Sequence, residues 1–459
     1  MSPELFKVYI HELSELLEAA GAITPLLNNI PVSHLLWADD LILMALDQES
    51  LQKLLNCLSE FCTNWGLSVN PDKTKVMVFN KSGKSYHSDK EFSLGKVKLQ
   101  HTSTYCYLGL QFNTGGTFNL ATEELRKKSI RAYFGLKRTV DISSLSFKSL
   151  TRLYDSLIKP ILTYGCVVWL PYSSTFKALT EVSEDSIKKL SQDPMEKAHL
   201  QFIKYSLGIH KKASNIGSWG ETGRYPLGIT ILKQVVSYFN NLALKGDDGT
   251  LLQHAFTEQK KLGLPWYTNI TKLVTNLADM PQSNPPSSHS TLESAKSVFR
   301  TLWKDQLNQQ PKLRFYRSIK DEFAEEPYLS LDWQYRTALT RIRISAHNLN
   351  IERGRYSRSD NTLAIQRLCP YCCSPDVAYL SELPFPDENP IIEDEAHVLS
   401  TCPAYHHVRL MLPDDLKTAL LKRDYHSVFA LMSDHRTAFM IGKATQKMLL
   451  IRKNMDLES

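Results

Sequence analysis

Val32-Ser33-His34-Leu35-Leu36-Trp37-Ala38-Asp39-Asp40-Leu41-Ile42-Leu43-Met44 sets two acidic residues side by side inside an apolar, strand-like run. Adjacent residues of a strand point to opposite faces. An Asp-Asp pair in mid-strand would therefore bury one carboxylate, which is costly unless it is paired or metal-bound. A chain reversal at this point removes the conflict. The expectation is a two-stranded hairpin that holds both carboxylates at an open edge. An ordinary surface turn is the plain alternative, and the apolar runs on both sides favour a functional tip.

Outward from the hairpin, Leu51, Leu54, Leu55, Leu58, Phe61, Cys62 and Trp65 share one helical face. Asp47 or Ser50 can cap that helix and Gly66 can end it. A turn at Leu67 to Asp72 leads to a strand at Thr74 to Phe79. A second strand pair is expected at Val97 to Gln100 and Tyr105 to Phe112. Upstream, Leu5, Val8, Tyr9, Leu13, Leu16 and Leu17 read as a helix opened by Ser2-Pro3. From Ala121 onward the pattern is mostly helical, and Pro160 interrupts an apolar stretch from Leu153 to Trp169. Residues 280–290 read as a linker and residues 381–395 as an acidic, Pro-rich loop.

The chain has 459 residues, enough for two to four domains, with 22% charged and 42% hydrophobic residues. A net charge of +6 permits nucleic-acid binding without arguing for it alone. Met1-Ser2-Pro3-Glu4-Leu5 carries no secretory pattern. No stretch approaches about 18 uninterrupted apolar residues, so no membrane partner is expected. Cys57, Cys62, Cys106 and Cys166 are scattered in apolar settings and read as core residues. Cys369, Cys372, Cys373 and Cys402 cluster, which suits a reducing, intracellular (nuclear or cytoplasmic) compartment and a metal site rather than a secreted disulfide framework.

The ordered blocks resemble the reverse transcriptase of a non-LTR (LINE-type) retrotransposon. Trp37-Ala38-Asp39-Asp40 stands where that family has its aromatic-Ala-Asp-Asp motif. Ser2 to Ile10 is similar to the helix ending the template-facing block. Trp65 to Asn70 and Lys73-Thr74-Lys75 are similar to the block after the metal-binding hairpin. Tyr107-Leu108-Gly109-Leu110 resembles the primer-grip hairpin, and Ile158 to Gly165 a thumb segment. Gly223 to Leu227 and Ile351 to Tyr356 resemble stretches of the carboxy-terminal half.

The resemblance implies RNA-directed DNA polymerisation, with RNA and DNA as partners and two Mg²⁺ ions at the centre. Two metals activate the primer 3′-hydroxyl and stabilise the leaving pyrophosphate, and Mg²⁺ prefers hard carboxylate oxygens. Asp39 would be the main metal bridge and Asp40 the supporting ligand. Lys73 or Lys75 would neutralise phosphate or donate a proton, unless they are solvated strand-flanking lysines. The family supplies a further aspartate from a strand upstream of the helix that begins here at Ser2. The expectation is an amino-terminally truncated polymerase, inactive alone. The competing expectation is a non-catalytic, zinc-containing nucleic-acid-binding remnant.

Two further signals lie downstream. Cys369-Pro370-Tyr371-Cys372 is followed by His397 and Cys402, a set of soft donors suited to a structural, tetrahedral Zn²⁺ site. Cys373 competes with Cys372 for one position. Between Leu120 and Pro160 nine Lys or Arg face four acids, with Arg126, Lys127, Lys128, Arg131, Lys137 and Arg138 clustered. Arg341, Arg343, Arg353, Arg355 and Arg358 form a second basic set. Phosphate binding needs such density, and a solvated helix face is the alternative for each. The fold class expected is α+β: a partial palm with both hairpins over 1–118, thumb-like helices over 119–175, and a helical region over 176–365. A zinc-knuckle-like module over 366–410 and terminal helices over 411–459 complete it. The oligomeric state is not legible.

Overall fold

A computed structural model describes residues 3–80, 91–246, 248–277, 287–355, 363, 366–373 and 391–458. It is a mixed α+β protein with small sheets near the amino terminus and mostly helix thereafter. The chain divides into two compact units. The first gathers residues 1–124, 165–172 and 234–288; the second gathers 125–164, 173–233 and 289–459.

The first unit opens with α1 (Pro3–Tyr9) and α2 (His11–Ala19), two helices where the apolar pattern reads as one. A minimal ladder, β1 (Leu26–Leu27) with β2 (Ile30–Pro31), precedes the β3 (His34–Trp37) and β4 (Asp40–Leu43) hairpin. Helix α3 (Gln48–Asn64) follows. Asp47 is its cap: one carboxylate oxygen accepts the Ser50 N–H at 2.8 Å and the other accepts the Ser50 hydroxyl at 3.0 Å. Gly66, at φ +64°, ends it.

Helix α3 buries two stripes. Leu54, Leu58 and Phe61 meet Leu13 and Leu17 of α2, with Leu41 and Leu43 of β4 packed against the same cluster. Leu55 instead joins Val76, Phe92 and Leu99. Each such side chain contributes about 1.5–3 kcal/mol on burial. The second cluster lies on a three-stranded sheet in the order β5 (Lys75–Val76), β7 (Val97–His101), β6 (Phe92–Leu94). Strand β5 is parallel to β7, and β6 antiparallel to it.

Two strand expectations need correction. The Thr74 to Phe79 strand is ladder-paired only at Lys75–Val76. The run Tyr105 to Phe112 does not pair with Val97 to Gln100. It folds back on itself as β8 (Thr104–Tyr107) and β9 (Leu110–Asn113), because Leu108 and Gly109 both have positive φ, 44° and 81°. That is the signature of a tight two-residue hairpin turn. Gly165 presses on this hairpin: at φ +64°, an added Cβ would lie 2.9 Å from the Leu110 side chain.

Helix α4 (Asn119–Thr139) leads into the second unit, which is almost entirely helical. Pro160 does not break its helix. The preceding turn, Tyr154–Ile158, widens to π geometry, which absorbs the missing N–H. At Gly223, φ +59°, the segment at Ala324–Glu325 packs so close that an added Cβ would meet the Glu325 nitrogen at 2.5 Å. Arg224 then pairs with Asp155 at 3.1 Å. The Gly223 to Leu227 block is thus a packing element.

Two expectations about loops change as well. Of the expected linker 280–290, residues 280–286 lie outside the described residues, and Ser288 already opens the helix Ser288–Gln309. Of the acidic loop 381–395, residues 381–390 lie outside them, and Glu393 and Glu395 are buried at 1% and 3% exposure. Both carboxylates are internal anchors rather than parts of a solvated excursion.

Candidate metal centres and nucleic-acid interface

Strand alternation leaves no good place for Asp39-Asp40 in mid-strand, and the chain reverses there. Trp37 pairs with Asp40, Leu36 with Leu41, Leu35 with Ile42 and His34 with Leu43, leaving Ala38 and Asp39 as a two-residue turn. Ala38 takes φ +51°, a conformation costly for a residue with a Cβ. Both carboxylates are exposed, and Trp37 beside them is 66% exposed. The turn of the β8–β9 hairpin reaches the same neighbourhood. The Tyr107 hydroxyl is raised above its ordinary value by partial burial and then by the Asp40 charge. Among the described residues, no third His, Cys, Asp or Glu donor joins Asp39 and Asp40 in a metal-sized cluster.

His34 ties the hairpin to α2. Its Nδ1 meets the Ser33 hydroxyl at 2.9 Å and its Nε2 the Ser14 hydroxyl at 3.0 Å. Burial lowers its proton affinity, opposed by Glu18. A histidine with a lowered folded-state pKa binds fewer protons folded than unfolded. Stability is therefore unaffected above about pH 6.5, the unfolded value, and falls as pH drops through it. Urea unfolding at pH 7.5 and 5.5 should show this acid loss shrinking in His34→Gln. An equal loss in both proteins would exclude His34 as the cause.

Lys73 lies exposed in the turn before β5, its carbonyl accepting the Tyr105 hydroxyl at 3.2 Å. Lys75 is half-buried and donates to Gln100 at 2.6 Å.

The second constellation is assembled from two segments. Leu368 bridges Ile392, and the Cys369 N–H donates to the Ile391 carbonyl at 2.8 Å, bringing the CxxC turn beside the His397 segment. Residues His397–Thr401 form a π turn closed by the Cys402 N–H to the His397 carbonyl at 2.9 Å. A five-residue spacing, out of phase in an α-helix, thereby presents both donors to one side. Cys369, Cys372, His397 and Cys402 place their donor atoms within 4.8 Å of one another.

The Sγ atoms of Cys369 and Cys402 are 3.9 Å apart, those of Cys372 and Cys402 3.8 Å, and Cys372 Sγ lies 3.4 Å from His397 Nε2. A disulfide needs about 2.05 Å. A tetrahedron with Zn–S of about 2.3 Å has sulfur–sulfur edges of roughly 3.8 Å, close to the two sulfur–sulfur spacings given. The four residues can therefore hold zinc. Hydrogen bonds among the three sulfurs push the Cys369 thiol well below its usual range and those of Cys372 and Cys402 above it, so one thiolate is shared among them. A thiolate is the form a metal binds.

Outer contacts fix the ligands. His397 Nδ1 meets the Thr401 hydroxyl at 3.1 Å, leaving Nε2 facing the sulfurs. Cys373 is exposed, and its sulfur points to the Ile391 carbonyl at 3.8 Å, outside the cluster. Glu393 is ion-paired with buried Arg452 and accepts the Asn350 N–H at 2.7 Å. Glu395 accepts Ser345 Oγ at 2.5 Å and His347 Nε2 at 2.9 Å. These buried acids, invisible as such in a run of charges, bolt the module to the helical core.

Of the basic residues on α4, Lys127, Lys128, Arg131, Lys137 and Arg138 are exposed and Arg126 is half-buried. The second basic set is split: Arg341 and Arg353 are exposed, Arg355 is half-buried and Arg343 is buried. Arg343 is 1% exposed and paired with Glu221 and Glu326 at 3.0 Å. Arg341 donates to the Gly208 carbonyl at 2.9 Å, and Arg355 pairs with Glu352 at 2.7 Å. Arg358 and Tyr356 lie outside the described residues. Of the scattered cysteines, Cys166 is buried, Cys57 and Cys62 are half-buried, and Cys106 is exposed rather than in the core. No helix among the described residues is long and apolar enough to cross a membrane.

Residues 1–112, which hold the β3–β4 hairpin and all but the last residue of the β8–β9 hairpin, match the reverse transcriptase (RNA-dependent DNA polymerase) family. A "putative uncharacterized transposon-derived protein" of Caenorhabditis elegans is 32% identical over 157 residues, covering 34% of this chain and 53% of that protein. The chain spans about half the length of this curated relative.

Proposed function

We propose that this chain contributes the metal-binding hairpin, primer-grip hairpin and nucleic-acid-binding helices of a LINE-type retrotransposon reverse transcriptase, and does not polymerise DNA unaided. The observation that carries the reading is the pair of exposed carboxylates at the β3–β4 turn, inside the span matched to reverse transcriptases. Asp39 and Asp40 are the Mg²⁺ ligands in this reading. Mg²⁺ there would lower the cost of charge on the attacking and leaving oxygens. Lys73 and Lys75 counter phosphate charge nearby. The β8–β9 turn positions the primer strand, and Arg126, Lys127, Lys128, Arg131, Lys137 and Arg138 of α4 grip the phosphodiester backbone. Residues 1–118 act as palm and 119–175 as thumb. Cys369, Cys372, His397 and Cys402 hold a structural Zn²⁺.

Two carboxylates position a metal pair poorly, since effective catalysis requires reacting groups held in near-attack geometry. The 459-residue chain should bind a primer–template but give no template-dependent extension with Mg²⁺ or Mn²⁺. Binding should weaken with salt, and neutralising Lys127, Lys128 and Arg131 together should flatten that dependence by about one unit per phosphate no longer neutralised. Extension that Asp39→Ala abolishes would show that the chain assembles a complete centre. Failure to bind any nucleic acid would remove the reading altogether.

A further inference from the structure

Outside α4, the second unit concentrates positive charge around the turn that ends helix Pro194–Ser206. The cationic residues are Lys204, Lys211, Lys212, Lys312 and Arg341, with His210 among them. Lys204 is 8% exposed, and its ammonium donates to the Lys211 carbonyl at 3.0 Å. Arg341 donates to the neighbouring Gly208 carbonyl at 3.2 and 2.9 Å. His210, Lys211 and Lys212 are exposed. Lys312 reaches Glu352 at 2.8 Å. The cations press on one another. Burial and then Lys312 push Lys204 down to about 8. Burial and then Lys312, Lys204, Arg341 and Lys212 lower His210. Glu352 balances Lys312, and the remaining like charges held together in this way favour an anion at the turn.

The patch continues into α4. Lys137 sits 4.8 Å from the centroid of the Tyr205 ring, and Tyr205 is the residue after Lys204. Tyr133 of α4 packs edge-on against the same ring, with centroids 5.3 Å apart. Here the aromatic contacts hold Lys137 beside the turn, so the basic side chains run on as a track for a single-stranded backbone whose phosphates meet the cations. A lone phosphate would use one end of such a track; a strand uses its length.

We propose that the turn carrying His210, Lys211 and Lys212, with Lys204 and Arg341 beneath it, is a second phosphate-binding station that extends the α4 grip along one single-stranded nucleic acid. This rests on the nucleic-acid-binding reading above and adds to it the place where the strand leaves the helix.

The test uses the whole 459-residue chain and a labelled oligouridylate of about 16 nucleotides, within the range single-strand sites span. Affinity is measured across a salt series for three variants: Lys211→Gln with Lys212→Gln, the α4 triple Lys127→Gln, Lys128→Gln and Arg131→Gln, and a surface control, Lys422→Gln with Lys443→Gln. The slope of log K against log salt should fall by roughly 0.7 for each phosphate of the single strand that is no longer neutralised. The 211/212 variant should lose slope and affinity, Lys211→Arg with Lys212→Arg should keep both, and the control should match wild type. If only the α4 variant loses slope, the second station is overturned while the nucleic-acid reading stands. If the wild-type chain does not bind, both fall. If the control loses as much as the 211/212 variant, general charge rather than this turn binds the strand, and the station is again overturned.

Discussion

Cys369→Ser should release one equivalent of Zn²⁺ per chain and unfold the segments 366–373 and 391–410, leaving the β3–β4 hairpin in place. The four donors converge only when the Leu368–Ile392 bridge and the His397–Thr401 π turn are formed. Ligands that meet only in the folded state convert metal affinity into folding free energy, about 10–16 kcal/mol in small structural zinc modules. Serine keeps the shape but offers a hydroxyl too weakly acidic to replace a thiolate. Hydrogen exchange should report the loss directly: the amides of Cys369 and Cys402, bonded to Ile391 and His397, should lose protection in the variant and after chelation. Cys373→Ser should keep its zinc. Wild-type protein that purifies without zinc, and whose exchange is unmoved by chelator, would end the assignment.

How far each feature was legible in the sequence follows from the chemistry of its position. Asp39-Asp40 was legible because strand alternation leaves no low-energy place for two adjacent carboxylates in an apolar run. The cap at Asp47 and the α3 stripe were legible because both depend on neighbours a few residues apart. The choice of Cys372 over Cys373 was not. It depends on the turn, where the Cys373 N–H donates to the Cys369 carbonyl at 3.0 Å and its sulfur is turned out toward Ile391. Strand β6 was missed because Phe92-Ser93-Leu94 is too short to show a period; only pairing with β7 makes it a strand.

Charge was the least legible property. Arg343 and Lys211 look alike in sequence, as basic residues near other basic residues. Arg343 meets Glu221, 122 residues away, inside the protein, whereas Lys211 stays at the surface. Glu393 and Glu395 look like parts of a solvated acidic loop and are instead partners of Arg452, Ser345 and His347. Local pattern shows that a charge exists; only the fold shows which distant segment neutralises it. Basic density therefore means an exposed cationic face on α4, and it means internal ion pairing at Arg343.

Arg343→Met should be among the most destabilising single changes in the second unit, costing about 3–5 kcal/mol by leaving carboxylates uncompensated in the interior. Arg343 donates to both oxygens of Glu221 at 3.0–3.1 Å and lies 3.0 Å from Glu326. Glu221 is fully buried and also accepts the Tyr328 hydroxyl. Burial alone would push the guanidinium down, but Glu221 and Glu326 carry it above its ordinary range. The rings of Tyr316, Tyr328 and Phe429 lie 5.8, 5.3 and 5.3 Å from its centre, closing the site to water. Methionine fills similar volume, so the loss should come from the orphaned charge rather than a cavity. Glu221→Gln added to Arg343→Met removes that charge while keeping an acceptor for Tyr328. The double variant should therefore be more stable than the Arg343 single, with a coupling of about 1–3 kcal/mol in urea unfolding followed through Trp219 and Trp303. Additive losses would mean that the pair is not coupled and that packing alone holds this part of the core.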